Sequence, residues 1–275
     1  MSPPGGPRGE SDGRGHRRGV RSVVRALDLL DLYDERNQRY TTRELVELTG
    51  LAKTTVLRLV GTLEQRGLLW SGSDGRVGAG PGLLRWARLA HAVWQVPESI
   101  RVIMRDLTVE TSETVNLYVR ADTVRVCVAQ EEGPQRLRHV VNTGDEMPLW
   151  GGAASKVLLG GAPESVVRRV AAASPHGPQY VERLFTEIAE ARARGFAVSH
   201  GEREHGASGV AAPVSGSGAG PGPVAALAVG GPTARFTEAS VRAFSGAVRE
   251  AAERIGRIGF DPGSENVATE DEENG

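Results

Sequence analysis

One face of the segment LAKTTVLRLVGTLEQRGLLW, residues 51–70, carries the side chains best suited to contact another molecule. As a helix, the segment places four aliphatic residues on one stripe: Val56, Leu59, Val60 and Leu63. The opposite face holds hydrogen-bonding side chains and no acid: Thr54, Thr55, Arg58, Thr62 and Gln65. Hydroxyl and guanidinium groups bond to phosphates and base edges, so this face could bind nucleic acid. The alternative is an ordinary solvated helix surface.

The predicted elements around this helix have the order of a winged helix-turn-helix. SVVRALDLLDLYDE, residues 22–35, predicts a first helix with Ser22 as a candidate N-cap. TTRELVELTG, residues 41–50, predicts a short helix that Gly50 ends. The third helix follows a tight turn, begins near Lys53 and is closed by Gly67. LLWSGSDGRVGAG, residues 68–80, then predicts a short hairpin with Arg76 on its returning strand.

The charge of the chain is divided unevenly. Residues 1–90 hold 15 Lys or Arg against 10 Asp or Glu, and residues 91–275 hold 18 against 24, which together give the net charge of −1. A basic first third favours a polyanionic partner, and an acidic remainder indicates a second task.

Residues 81–113 are predicted to be mostly helical, and residues 114–260 to be α+β. The helix PGLLRWARLAHAVWQV carries Trp86 and Trp94, which either form a dimer interface or pack on their own domain. TVNLYVRAD and TVRVCVAQEE predict a hairpin that turns at Ala121 and Asp122, and QRLRHVV, residues 135–141, predicts a third strand. Two further strands and two long helices complete a central antiparallel sheet with flanking helices.

Composition and cysteine content exclude several classes of protein. A content of 39% hydrophobic and 24% charged residues is typical of a soluble globular chain, and no apolar run reaches the roughly 20 residues of a membrane helix. The N-terminus lacks the apolar region of a secretory signal, so we expect a cytoplasmic protein. Cys127 is the single cysteine, which excludes an intrachain disulfide. The sequence predicts no cofactor.

These segments, in this order, resemble the IclR family of bacterial transcriptional regulators. The resemblance rests on SVVRALDLLDLY and TTRELVELTGLAKTTVLRLVGTLEQRGLL in the first part, and on SETVNLYV, GDEMPLWGGAASKVLL, ARARGFAVSHGEREHGASGVAAPV and ALAVGGPTARFT in the second. It implies a winged helix-turn-helix joined by helices to a GAF-like effector-binding domain, and assembly into dimers or tetramers. The expected organisation is a disordered basic arm (1–20), a DNA-binding domain (21–80), linker and dimerisation helices (81–113), an effector domain (114–260) and a disordered acidic tail (261–275).

The second helix of a helix-turn-helix presents its N-terminal residues to base edges in the major groove of a double-stranded operator. Here those residues are Lys53, Thr54, Thr55 and Arg58, and Arg58 could bind guanine O6 and N7 together. Three further groups are expected to contact the DNA backbone or minor groove: Thr42 and Arg43 at the start of the preceding helix, Arg76 on the wing, and Arg17, Arg18 and Arg21 on the arm.

The resemblance also implies a binding site for a small-molecule effector. Matched motif by motif, the site comprises Trp150, Gly151, Gly152, Ala153, Ala154, Ser199, Gly209, Ala228 and Gly230. Family members that bind small oxo-acids often carry polar residues at the Gly209, Ala228 and Gly230 positions. Since a buried carboxylate without donors is unfavourable, we expect a larger or less polar ligand, with Trp150 as a stacking surface or as plain core.

Other functions have weaker support. HGEREHG, residues 200–206, holds His200 and His205 too far apart, and with too few further ligands, for a clear metal site. The motif around Ser208 lacks the spacing of a nucleophile elbow, and no base and acid are placed beside it. The main hypothesis is therefore an effector-controlled regulator, more often a repressor in such a family. The alternatives are a constitutive regulator without an effector and an enzyme built on the second domain.

Overall fold

The computed structural model describes residues 20–34, 36–216 and 222–260. The chain divides between Ala90 and His91 into two compact units, each of which is described by itself. The predicted arm and acidic tail lie outside the described residues, except for Val20. None of the helices in the described ranges combines the length and the apolar character needed to cross a membrane.

The first unit is a small helical domain with a three-stranded antiparallel sheet of order β1-β3-β2. Its elements are α1 (Arg21–Leu30), β1 (Arg39–Thr41), α2 (Thr42–Thr49), α3 (Lys53–Gln65), β2 (Leu69–Ser71) and β3 (Arg76–Ala79). Its core consists of buried aliphatic residues from these elements: Leu29, Leu45, Val56, Val60, Leu63, Leu69 and Val77. The predicted apolar stripe of α3 is thus confirmed, with Leu59 partly buried against the same core.

Local side-chain chemistry fixes the ends of these helices. Thr41 and Glu44 form a capping box at the start of α2, in which each side chain bonds to the other residue's backbone N–H. Gly50 ends α2 in the left-handed conformation, with φ of 63°, as predicted. Ser22 does not cap α1, because the helix begins at Arg21 and already includes Ser22. The N-cap is Val20, which has no side-chain acceptor. The sequence also did not predict β1, which pairs with β3.

Two helices follow, α4 (Leu83–Trp94) and α5 (Glu98–Thr111). Pro97 separates them and is the N-cap of α5, as its missing N–H and restricted backbone favour. Trp86 is 55% exposed and Trp94 42% exposed, and α4 has no buried residue.

The second unit is built on a six-stranded antiparallel sheet of order β6-β5-β4-β9-β8-β7. The strands are β4 (Thr114–Ala121), β5 (Val124–Glu131), β6 (Glu146–Pro148), β7 (Ala197–His200), β8 (Ala207–Val214) and β9 (Ala225–Pro232). The helices are α6 (Ala153–Leu158), α7 (Glu164–Ala172), α8 (Tyr180–Arg194) and α9 (Glu238–Ile258), with short 3₁₀ turns at Leu159–Gly161 and Thr233–Arg235. The predicted mixed fold with a central antiparallel sheet is confirmed.

Helices cover both faces of this sheet, so each strand contributes to two cores. Val115, Leu117 and Val119 of β4 join the core that includes α5 and α9. Tyr118, between them, joins the core that includes α6, α7 and α8. Successive side chains of a strand point to opposite faces, which explains this division.

The predicted strand QRLRHVV is wrong. Residues 135–141 form a loop, and β6 instead takes the position beside β5 at the edge of the sheet. The loop is held from outside the sheet, because Arg235 donates a hydrogen bond to the carbonyl of Leu137. Arg235 also pairs with the buried carboxylate of Glu113, to which its Nη2 donates over 2.6 Å. A side-chain hydrogen bond therefore holds, as a loop, a segment that the sequence analysis assigned to the sheet.

Candidate functional site

The start of α3 presents a polar surface without acids. Lys53, Thr54 and Arg58 are exposed, and Thr55 is half-buried. No side chain caps the first turn, and no acid lies in it. The N-terminus of α3 therefore presents free backbone N–H groups and a partial positive charge, to which an anion could bind. Within the described residues Arg58 forms no ion pair, so its guanidinium needs to break none on binding a partner.

The other predicted DNA-contacting residues are placed on α2 and on the hairpin. Thr42 is half-buried in the first turn of α2, and Arg43 is exposed and 2.9 Å from the carboxylate of Glu47. Arg76 on β3 lies 3.7 Å from the carboxylate of Glu44 and also donates to the carbonyl of Arg39. Arg21 is the first residue of α1, and Arg17 and Arg18 lie outside the described residues. Arg43 and Arg76 thus have acidic partners, whereas Arg58 has none among the residues that the structure describes.

A cavity of about 60 Å³ opens between the sheet of the second unit and the start of α6. Seven of the nine predicted effector residues line it: Gly152, Ala153, Ala154, Ser199, Gly209, Ala228 and Gly230. These residues come from α6, β7, β8 and β9, and their small side chains leave the space open. Gly230 is also needed for close packing, because a Cβ atom there would lie 3.3 Å from the ring of His139.

Trp150 and Gly151 are not part of the cavity lining. The indole of Trp150 packs edge-on against the ring of His176, with the two centroids 6.0 Å apart. Gly151 instead contributes its carbonyl group, which accepts hydrogen bonds from Arg125 and Ser155. Trp150 therefore contributes to the core beside α8, the alternative that the sequence left open for it.

Polar residues that the sequence analysis did not select complete the lining: Asn116, Tyr118, Arg125, His139, Glu202, Arg203, Glu204 and Ser208. The cavity therefore has hydrogen-bond donors, although Gly209, Ala228 and Gly230 supply no polar side chain. Arg125 and Cys127 lie two positions apart on β5, so their side chains point to the same face of the sheet. Because the sequence analysis already identified Cys127 as buried, this shared face could have indicated that Arg125 is buried too. Burial lowers the pKa of His139, because the charged imidazolium is poorly solvated there.

The loop after β7 is held to the start of α6 by Glu202. One carboxylate oxygen accepts from the backbone N–H of Gly152 over 2.9 Å, and the other lies 2.6 Å from Nζ of Lys156. Lys156 is buried and also lies 3.4 Å from the carboxylate of Glu187 on α8. The network joins three elements around one buried ammonium group, and Glu202 is a member of both this network and the cavity lining.

Ser208 belongs to a chain of hydrogen bonds. Its Oγ lies 2.9 Å from Nδ1 of His200 and 2.8 Å from Oγ1 of Thr233. The sequence did not anticipate that His200 would lie beside Ser208. In the described ranges, no group of three His, Cys, Asp or Glu side chains is arranged to hold a metal ion.

Comparison with known proteins relates both units to one family. Residues 22–70 match the family model described as "IclR helix-turn-helix domain". Residues 90–257 match the one described as "Bacterial transcriptional regulator IclR C-terminal". The HTH-type transcriptional regulator KipR of Bacillus subtilis is 29% identical over 87% of this chain and 98% of its own. The transcriptional repressor IclR of Escherichia coli is 28% identical over 86% and 89% of the two chains.

A solved structure supports the same relationship. The crystal structure of an IclR-family regulator from Rhodococcus sp. is 45% identical in sequence, covers 92% of this chain and 98% of its own, and has a TM-score of 0.60. The helix-turn-helix, in which the start of α3 carries no acid, and the sheet domain are the two parts that the family descriptions name. The chain therefore belongs to the IclR family of bacterial transcriptional regulators.

Proposed function

We propose that this protein is an effector-controlled repressor that binds a near-palindromic operator as a homodimer. The observation that carries the proposal is the exposed, acid-free start of α3, at Lys53, Thr54 and Arg58, within a winged helix-turn-helix. A repressor role is supported by the likeness to the repressor IclR of Escherichia coli. Such a regulator acts on the chromosome, which supports a cytoplasmic location.

The proposed DNA-binding residues fall into two groups, those that contact base edges and those that contact phosphates. Arg58 and the threonines of α3 would reach base edges in the major groove. Thr42 and Arg43 at the start of α2 would bind the backbone, where an N-terminal helix turn and a cation both attract phosphate. Arg76 on the hairpin would reach the minor groove or the backbone.

A dimer would be built on α4. Trp86, Leu89 and Val93 are exposed and follow one another at the spacing of a helical stripe. Large aromatic and aliphatic side chains are enriched at the centres of protein interfaces. Residues 21–80 would then bind DNA, residues 81–113 would link and dimerise, and residues 114–260 would bind the effector in the cavity described above.

The effector would act by its different affinity for DNA-competent and DNA-incompetent arrangements of the dimer. A ligand that binds both arrangements equally well would not change operator occupancy, however tightly it bound. If a metabolite relieves repression, its binding must weaken the affinity of the protein for the operator.

The test is selection of bound DNA from a random library, followed by binding assays with Arg58→Ala on the selected operator and on scrambled DNA. If Arg58 reads a base, the variant loses about 1–3 kcal/mol on the operator and much less on scrambled DNA. Arg43→Ala is the matched control, since both side chains are exposed on neighbouring helices. It should weaken binding to both DNAs and reduce the salt dependence, as expected for a lost phosphate contact.

Two results would contradict the proposal. Failure to enrich any sequence, with and without candidate effectors, would remove the assignment as a sequence-specific regulator. Equal losses for Arg58→Ala on both DNAs would show that Arg58 binds phosphate, and sequence readout would then have to come from the threonines.

A further inference from the structure

The carboxylate of Glu113 lies directly after the end of α5. Ser112 is the C-cap of this helix and has a φ of 55°, a left-handed conformation that residues with a Cβ rarely adopt. Its backbone N–H donates to the carbonyl of Thr108 over 2.8 Å. Glu113 follows it with only 2% of its surface exposed. Since a strained conformation persists only where its surroundings hold it, the contacts of Glu113 help to fix the end of α5.

Arg235 binds this carboxylate with two nitrogens of its guanidinium. Nε donates to one oxygen of Glu113, and Nη2 donates to the other over 2.6 Å. Gly231 makes room for the pair, because a Cβ atom there would overlap Oε2 of Glu113. A bidentate pair of arginine and carboxylate fixes the orientation of both partners in addition to attracting them. The position of Glu113 therefore follows that of the Arg235 guanidinium.

The same guanidinium holds the loop of residues 132–141. Nη2 of Arg235 also donates to the carbonyl of Leu137 over 2.9 Å. At the beginning of the loop, Gly133 packs so closely that an added Cβ atom would lie 2.8 Å from the carbonyl carbon of Glu113. The loop is thus attached to Glu113 both directly and through Arg235.

Further along, this loop forms part of the cavity wall. His139 lines the cavity. Its ring lies against Gly230 of β9, where an added Cβ atom would be 3.3 Å from Cδ2 of the imidazole. A molecule that displaces His139 would therefore act on the loop that Arg235 holds.

We propose that Glu113 and Arg235 are positioning residues that couple the cavity wall to the end of α5. When His139 moves, the loop moves Leu137 with it, and Arg235 passes the displacement to the carboxylate of Glu113. Along the chain, α5 is preceded by α4 and the first unit. The proposal rests on the proposed function in treating the cavity as the effector site. Coupling between two sites requires an element whose arrangement both of them influence, and the loop with the end of α5 is that element.

The test needs no ligand, because Gly230→Ala pushes on the ring of His139 from the side of the cavity. Hydrogen-exchange mass spectrometry of the full-length protein should then show at least about fivefold faster exchange in residues 108–114. In the Arg235→Lys background the same substitution should change this exchange by less than about twofold, as for independent sites. Lysine keeps the charge beside Glu113 but loses the planar fork that also reaches the loop.

Gly209→Ala is the matched control for the added methyl group. Its Cβ would also meet a neighbour at 3.3 Å, but that neighbour is the carbonyl oxygen of Val229 and not the loop. Any effect of Gly209→Ala on residues 108–114 should therefore be the same with and without Arg235→Lys.

Arg254→Lys controls for ion pairs on α5 in general. Arg254 of α9 lies 3.5 Å from the carboxylate of Asp106 on α5. This variant should leave the effect of Gly230→Ala unchanged, because Arg254 does not hold the loop. If Arg235→Lys does not fold, Glu113→Gln takes its place in the same comparison.

The double substitution separates coupling from plain stabilisation. A pair that only stabilises would speed exchange in Arg235→Lys itself but would leave the effect of Gly230→Ala undiminished. The proposal is overturned by that result, or if Gly230→Ala alone leaves residues 108–114 unchanged. An undiminished effect would mean that the displacement passes through the strand pairing of Thr114 with Gly230.

Operator affinity measured on the same samples separates this proposal from the proposed function. A change of affinity in Gly230→Ala that Arg235→Lys reduces supports both. If exchange is coupled but operator affinity never changes, the coupling stands and effector control through it fails. If no sample binds a selected operator, the proposed function fails, and the exchange measurements still decide the coupling.

Discussion

Replacing Lys156 by methionine tests whether the buried ion network around α6 stabilises the second unit. The Lys156 side chain is 9% exposed, and Nζ lies between the carboxylates of Glu202 and Glu187. Methionine keeps much of the side-chain length and removes the charge. The two carboxylates would then face each other without the cation that balances them.

The structure sets the expected magnitude. Removing one partner of a fully buried ion pair destabilises a protein by about 3–5 kcal/mol. Here the effect should be smaller, because both carboxylates are partly exposed, Glu187 keeps Arg183 at 2.8 Å, and Glu202 keeps the N–H of Gly152. We expect a loss of about 2–3 kcal/mol. For a unit of this size, that corresponds to a fall in Tm of roughly 4–12 °C.

Scanning calorimetry of the full-length protein measures the transition of each variant. Arg242→Met is the control, because Arg242 and Glu238 form an exposed pair on α9 and its loss should change stability by less than about 0.5 kcal/mol. The double variant Lys156→Met with Glu202→Gln should recover part of the loss. A transition for Lys156→Met within about 1 °C of the wild type would refute the reasoning, since the network would then be effectively solvated.

Three other results are expected. Gly50→Ala should destabilise the first unit by about 1–2 kcal/mol in denaturant titrations, because a residue with a Cβ is strained at the φ of 63°. The added Cβ would meet no other atom within 4 Å, so backbone strain is the only cost, and an unchanged midpoint would contradict this. His139 is half-buried with a lowered pKa, so the unfolded chain takes up the proton first and stability should fall as pH drops below about 6.5. In His139→Asn the Tm should depend less on pH over that range, and an identical profile would exclude the histidine as the cause. Trp86→Glu should shift the protein toward monomer in sedimentation velocity, whereas an unchanged oligomer would place the interface elsewhere.

The helical parts of the fold were predictable because their signals are local. The stripe of α3 repeats every three to four residues, and Gly50 marks the end of α2 by a conformation that other residues avoid. The hairpin of β4 and β5 likewise turns at Asp122, which has a positive φ of 55°. β1 has only three residues and pairs with β3, and even its closest pair in sequence, Thr41 with Arg76, is 35 positions apart. No local pattern in the sequence therefore predicts β1.

The polar part of the cavity was not predictable in the same way. Small residues such as Gly152 and Ala154 were found because their motif resembles that of the family. Arg125 was missed because a charged residue type gives no local sign of burial, although its alternation with Cys127 along β5 places both side chains on one face. The loop at residues 135–141 was misassigned for another reason: it contains β-branched residues, but Leu137 and Val140 are exposed and a side-chain hydrogen bond from Arg235 holds the segment.

The small residues lining the cavity also constrain how ligand preference could drift during evolution. The positions from the helix start and the strands already carry glycine or alanine, namely Gly152, Ala153, Ala154, Gly209, Ala228 and Gly230. A substitution at any of the glycines adds atoms, and an alanine can lose only its methyl group, so these positions offer little additional volume for a larger ligand. Descendants that accept bulkier molecules would have to shorten or reshape larger residues of the lining, such as His139 and Arg203. Selection for a larger ligand should therefore be recorded in the loops that carry these two residues rather than in the glycine and alanine positions.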